Sequence, residues 1–194
     1  MRKQVLFLTF MVVFCPGIYV PLTHASEFDY RVDLSYSEAN PDFSAFANGE
    51  GLTWYGRATY AQSVFAFVRL SNARFQPSGR VSGAEVEHWF ESGLGYHFPL
   101  SGRWALEGNI AYQKIGENGD DNSGKSYQLG LRYRPFSAVG FGLDVGRIDV
   151  KIDDWTLVFE IDYQLTDHVY FIGRLRDYAD WDFTYYEGGV GFTF

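Results

Sequence analysis

The residue types that most often do chemistry are thinly spread in this chain. Beyond residue 25 the histidines are His88, His97 and His168. None stands in a His-x-Ser pattern that would place a nucleophile beside a base, as acyl-transfer sites require. There is no glycine-rich phosphate loop, no dinucleotide fingerprint and no cluster with metal-ligand spacing, so no catalytic residue, cofactor site or metal site is assigned. Glu117, Asp120 and Asp121 form an acidic cluster, but their spacing matches no calcium loop. What is abundant is charge of both signs at alternate positions. Asp29, Arg31, Asp33, Arg57, Arg69, Glu87, Glu91, Glu107, Arg132, Arg134, Asp144, Glu160, Asp162, Arg174, Arg176 and Glu187 each sit one residue from apolar neighbours. Gathered on one face, they would form ion pairs or line a passage for ions. Arginine dominates the cations of this set, which suits its fork-shaped pairing with carboxylates.

Alternate spacing implies strands, because successive side chains of a strand point to opposite faces. In 28–36 the apolar set is Phe28, Tyr30, Val32, Leu34 and Tyr36, and Asp29, Arg31, Asp33 and Ser35 take the other face. The same pattern returns in 52–60, 64–71, 86–98, 104–113, 126–134, 139–150, 155–164, 169–178 and 182–194, which gives ten strands, with eight as the alternative. A strand of about 9–11 residues, tilted, is long enough to cross a bilayer. The connections alternate in character. Ala61–Ser63, Pro99–Gly102, Pro135–Ala138 and Leu165–Asp167 are short, whereas 37–50, 72–84 and 114–125 are long, polar and glycine-rich. The least regular stretch is 147–154, where the alternation is expected to slip.

Composition agrees with a β protein. Aromatic residues make up 19% of the chain, with 14 Tyr and 18 Phe, and there are 21 Gly. Outward aromatics sort by height. Tyr60, Phe98, Trp104, Tyr133, Tyr163 and Phe194 fall near the short turns, and Tyr36, Trp54, Tyr112, Tyr127 and Trp155 near the long loops. Two such girdles flanking an aliphatic band suit a membrane and have no use in a soluble sheet. A lipocalin-like soluble barrel would show the same alternation with the faces exchanged, its apolar residues inward around a ligand.

The first 25 residues differ from the rest. Arg2 and Lys3 precede an apolar run from Val5 to Phe14, and Thr23-His24-Ala25 supplies small residues for cleavage. This predicts a signal peptide over 1–25 and a single domain over 26–194. Phe14 before Cys15 and Pro16 after it argue against lipidation. The mature chain would hold 14 Lys plus Arg against 24 Asp plus Glu, a net charge of −10, and no cysteine. Nucleic acid is therefore not an expected partner.

The C-terminal run Glu187-Gly-Gly-Val-Gly-Phe-Thr-Phe194 resembles the β-signal of bacterial outer-membrane proteins. With the strands and the leader, the whole mature chain resembles the small outer-membrane barrels of the opacity-type, OmpA-like and porin-like kind. The resemblance implies an all-β fold, a closed antiparallel up-and-down transmembrane barrel, with both termini periplasmic. It also implies that Glu187, Gly189, Phe192 and Phe194 are read by the barrel assembly machinery, and that the surroundings are outer-membrane lipid and lipopolysaccharide. Arg147 and Lys151 continue the outward parity and could meet lipopolysaccharide phosphates. Some small barrels are lipid-modifying enzymes or proteases. Here parity turns His88 outward and leaves His97 and His168 near the short turns, so no enzyme is expected. The functions expected are narrow passage of ions or small solutes, a structural membrane role, or a surface interaction module with a plugged lumen.

Overall fold

The computed structural model describes residues 28–41, 46–77, 85–117, 120–150, 153–179 and 183–194. The expected signal peptide over 1–25 lies outside the described residues. Ten strands follow one another: β1 (Phe28–Pro41), β2 (Phe46–Tyr60), β3 (Val64–Pro77), β4 (Glu85–Pro99), β5 (Trp104–Glu117), β6 (Asp120–Phe136), β7 (Val139–Asp149), β8 (Asp153–Gln164), β9 (Val169–Tyr178) and β10 (Phe183–Thr193). Each pairs antiparallel with its chain neighbours, and β1 pairs with β10 to close the barrel. Closure leaves no sheet edge, so every strand finds backbone partners without water, the condition a lipid-facing sheet has to meet.

The two faces of this sheet bear opposite chemistry. Outward residues are large, apolar and exposed: Leu34, Leu94, Ile110, Leu129, Leu143, Leu157 and Ile161, with Leu129 64% and Leu94 61% exposed. A continuous apolar surface of this kind is prohibitive in water and expected in lipid. Tyr60, Phe98, Trp104, Tyr163 and Phe194 lie toward the short-turn rim, and Tyr36, Tyr112, Tyr127 and Trp155 toward the other, all exposed. Level with this apolar band the charged residues point inward, Asp33, Arg69, Glu91, Glu107, Asp144, Arg174 and Glu187 all being buried, which is the reverse of a lipocalin-like arrangement.

Among the short turns, the one after β2 places Ala61 and Gln62 at φ of 48° and 58°, closed by Ser63 N–H donating to Tyr60 O at 3.0 Å. Two successive left-handed residues match the twist of a tight hairpin, at a conformational cost that glycine would avoid. At the opposite rim the structure corrects the sequence reading. The segments 37–50 and 114–125 are mostly strand, since β1, β2, β5 and β6 run on to Pro41, Phe46, Glu117 and Asp120, and 72–84 is strand as far as Pro77, with 78–84 outside the described residues. Nor does the alternation slip at 147–154. Arg147, Asp149, Asp153 and Trp155 are all exposed, while Ile148, Val150, Asp154 and Thr156 are all buried. The pattern looked broken because the chain there has risen past the lipid band, so Arg147, Asp149 and Asp153 face out while Ile148 and Val150 face in.

Candidate functional site in the barrel lumen

Three levels follow one another inside the barrel. At the short-turn rim a vestibule of about 690 Å³ opens to solvent, lined among others by Asp29, Arg57, His97, Arg132, Arg134 and Asp162. Its floor is organised around Glu107. That carboxylate accepts from Arg57 Nη2 at 2.9 Å and Arg132 Nε at 3.0 Å, and its Oε1 lies 3.0 Å from His97 Nδ1. Arg132 also reaches Asp144 at 2.8 Å, and Arg134 Nη2 donates to Asp162 at 2.7 Å.

Deeper, in mid-barrel, Arg174 binds three carboxylates. Its Nε donates to Glu160 at 2.6 Å, its Nη1 to Glu187 at 3.4 Å and its Nη2 to Asp33. Asp33 also accepts from Arg31 at 3.1 Å and from the Tyr170 hydroxyl, and Arg31 reaches on to Glu160 at 3.2 Å. Arg69 crosses the lumen from β3 to Glu187 on β10. Arg176 Nη1 stands 4.0 Å from Glu91, which accepts from Gln113 at 3.1 Å and Ser126 at 3.3 Å. Aromatic faces support the guanidinium groups: Arg57 lies 3.7 Å over Phe65, Arg31 4.9 Å over Tyr170 and Arg174 5.3 Å over Tyr55. Two inward glycines make room for these rings. A Cβ on Gly95 would stand 2.2 Å from Phe65 Cζ, and one on Gly191 would stand 2.1 Å from Tyr170 Cζ. A void of about 70 Å³ remains at the centre.

Above the charges the interior becomes apolar. Ala39, Ala73, Trp89, Ile115, Ile148, Val150, Tyr178 and Tyr185, drawn from seven strands, form one buried cluster. Its centre is three rings in mutual contact, with Trp89 at 5.2 Å from Tyr178 and 6.3 Å from Tyr185, and Tyr178 at 6.1 Å from Tyr185. This layer lies on the hairpin side of the charges, and nothing in the sequence reading had singled it out. The usable signal was phase. Trp89 lies two residues from Glu91, Tyr178 two from Arg176 and Tyr185 two from Glu187, so all share the inward face.

The remaining sequence candidates lie apart from this network. Asp29 is exposed in the vestibule, and Glu87 holds an inward register position opposite Ala73 and Glu117, its side chain outside the described residues. Of the assembly-signal residues, Glu187 is buried in the lumen. Gly189 packs against Ser35, Phe192 and Phe194 are exposed outward, and Phe194 exchanges backbone hydrogen bonds with Tyr30 at 3.0 and 3.2 Å. Arg147 is exposed on the outer surface and paired with Asp153, while Lys151 lies outside the described residues. His88 is exposed, and His168 is exposed near the short-turn rim, its Nδ1 3.1 Å from Thr193 O. Near Asp121 the acidic cluster is partly neutralised by Lys114 at 2.6 Å.

No protein-family model and no curated protein matches the sequence. Solved structures do. An outer membrane channel from Pseudomonas putida F1 is 11% identical with a TM-score of 0.54, over 92% of this chain and 99% of that one. The fold is that of an outer-membrane β-barrel. The beta domain of the Bordetella autotransporter BrkA is also 11% identical, with a TM-score of 0.51 over 86% of this barrel and 99% of that chain. The KdgM porin matches at 10% identity and a TM-score of 0.46, over 84% and 99%.

Proposed function

We propose that this barrel resides in the bacterial outer membrane and acts as a porin-like protein giving narrow passage to ions or small solutes. The vestibule carries this reading. Arg31, Arg57, Glu107, Arg132 and Glu160 line both the vestibule and the central void, so water entering at the short-turn rim reaches the middle of the membrane along a charged wall. The first and last described residues, Phe28 and Phe194, stand at that rim, and since short turns are periplasmic in outer-membrane barrels, this reading has the rim face the periplasm and the hairpins the outside. The passage is shut on the hairpin side by the Trp89–Tyr178–Tyr185 layer, and conduction requires those rings to part, as in pores that gate by dewetting. That same layer favours a second reading, a plugged barrel serving as a structural or surface-contact module.

The proposal is of a passage and assigns no reaction to the lumen residues. Partners in this reading are outer-membrane lipid, lipopolysaccharide phosphates at Arg147 and Lys151, and the assembly machinery at the C-terminal strand. The test is single-channel conductance of the refolded mature chain in planar bilayers, beside a heat-modifiable gel shift that reports folding. Discrete steps that change size on replacing Arg132 or Arg174 support passage. A folded, shifting barrel that never conducts overturns it in favour of the plugged reading.

A further inference from the structure

Every junction in the barrel but one joins strands that follow each other in the chain. The exception is the seam, where β1 meets β10. A connecting turn keeps consecutive strands close at small entropic cost, whereas the seam brings together the two ends of the chain, where fraying is cheapest. Its backbone ladder runs from Arg31 opposite Thr193 to Pro41 opposite Phe183. Side chains inside the barrel add a second connection.

One row of the sheet shows how. Asp33 on β1 stands opposite Gly191 on β10, which in turn stands opposite Tyr170 on β9. Gly191 presents no side chain to the lumen, and the Tyr170 ring lies over it: a Cβ there would overlap Cζ, Cε2 and the hydroxyl oxygen of Tyr170. The ring thus steps across β10, and its hydroxyl donates to Asp33 on the far side. Arg31 covers the ring, its guanidinium carbon 4.9 Å from the centroid, and donates both to Asp33 and to Glu160 on β8. Tyr170 is held between the backbone of one strand and the guanidinium of another.

Two ion pairs step over the same seam. Arg174 of β9 reaches Asp33 across β10, and Arg69 of β3 reaches Glu187 of β10 across β2 and β1. Bridges elsewhere, such as Arg57 to Glu107 and Arg134 to Asp162, span strands that the chain already links in sequence. Asp33 is 0% exposed, and a carboxylate so buried is costly unless it is paired. Its partners Arg174 and Tyr170 both come from β9, so they reach it only when β10 is seated between β9 and β1. A seam opened in lipid would turn these charges toward hydrocarbon, where they are expensive.

We propose that Tyr170, Gly191 and Asp33 form a latch, covered by Arg31, that locks the β1–β10 seam from inside and keeps the barrel from opening sideways into lipid. The latch goes beyond the passage reading and does not rest on it.

The experiment is hydrogen–deuterium exchange of the refolded mature chain in micelles without denaturant, read by mass spectrometry, which reports local opening strand by strand. Tyr170→Phe keeps a ring over Gly191 and removes only the hydroxyl. The expected result is exchange about tenfold faster in β1 and β10, a factor that converts to about 1.4 kcal/mol, with β5 and β6 unchanged. Gly191→Ala, which displaces the ring, is expected to act on the same two strands. Arg134→Gln removes a bridge away from the seam and is expected to leave β1 and β10 as they were. Unchanged exchange at the seam in both Tyr170→Phe and Gly191→Ala overturns the latch. So does an acceleration shared equally by all strands, which would make the contact one of general stability, and so does an equal effect at the seam from Arg134→Gln.

Discussion

Removing Arg174 is the sharpest single perturbation of this barrel. Its guanidinium touches Asp33, Glu160 and Glu187, and its side chain is 6% exposed. At an effective dielectric near 20, each contact at about 3 Å is worth roughly 5 kcal/mol before desolvation is charged against it. Desolvating the arginine offsets most of that sum, so the measurable quantity is the cost of the carboxylates it leaves behind. In Arg174→Gln all three keep a partner: Asp33 and Glu160 keep Arg31, and Glu187 keeps Arg69. Two guanidinium groups then face three carboxylates. One buried, incompletely compensated charge is worth about 3–5 kcal/mol, and the surviving partners place the expected loss at the lower end, about 3 kcal/mol. Urea titration in micelles, read as the fraction migrating in the heat-modifiable folded position, measures it. The double variant Arg174→Gln/Glu160→Gln restores two against two and is expected to recover at least about 1 kcal/mol through coupling of contacting groups. A single-variant loss under about 1 kcal/mol, or a double variant no more stable than the single, would show that the three contacts are not an energetic unit.

The other levels of the barrel yield their own tests. Trp89→Ala removes the largest ring of the apolar layer, and it should raise single-channel conductance while costing about 3–5 kcal/mol of stability; unaltered conductance in a folded variant would remove the layer from the path. Gly191→Ala puts a methyl where Tyr170 lies, 2.1 Å from its Cζ, and is expected to cost about 1–3 kcal/mol by overpacking, seen as an earlier urea midpoint. Leu129→Arg, at 64% exposure on the lipid face, should destabilise the barrel in bilayers by about 2–4 kcal/mol, and a neutral result in liposomes would contradict its placement against lipid. Replacing Phe194 by Ala should lower the assembled fraction in cells yet leave refolding into detergent unchanged, because Phe194 contributes mainly an exposed ring and two backbone bonds; equal losses in both assays would make it a stability residue and not a signal.

How much of this was legible in sequence follows from what a period of two encodes. It gives the face of each residue, so ten strands, their inward charges and their outward aromatics could all be read from windows of about nine residues. Hairpin partners could be read as well, and Glu160 with Arg174 is such a pair across β8 and β9. Alternation does not encode height or what lies across the lumen. Arg69 meets Glu187, 118 residues away, and Arg176 approaches Glu91 only because closure and strand tilt bring distant strands face to face. The hairpin rim was misread for a related reason. Once a strand leaves the lipid band its outward face turns polar, so Glu38, Glu50 and Lys125 make it resemble a loop, although Ala39, Ala73 and Ile115 still point inward and keep the phase.

The exchange of chemistry between the two faces divides the lumen. Below it, polar residues face in and the vestibule admits water; above it, Trp89, Tyr178 and Tyr185 face in and exclude water. An ion entering from the short-turn rim is therefore solvated by arginines and carboxylates up to one level and then meets a layer whose centre is three packed aromatic rings. Such a barrier depends on ring packing and not on charge, so substitutions in the ion-pair network should alter which ions enter and how stable the barrel is, whereas substitutions at Trp89, Tyr178 or Tyr185 should alter whether anything crosses. A barrel in which both kinds of substitution changed conductance alike would have a single constriction, and the separation of the lumen into a charged level and an apolar one would carry no functional meaning.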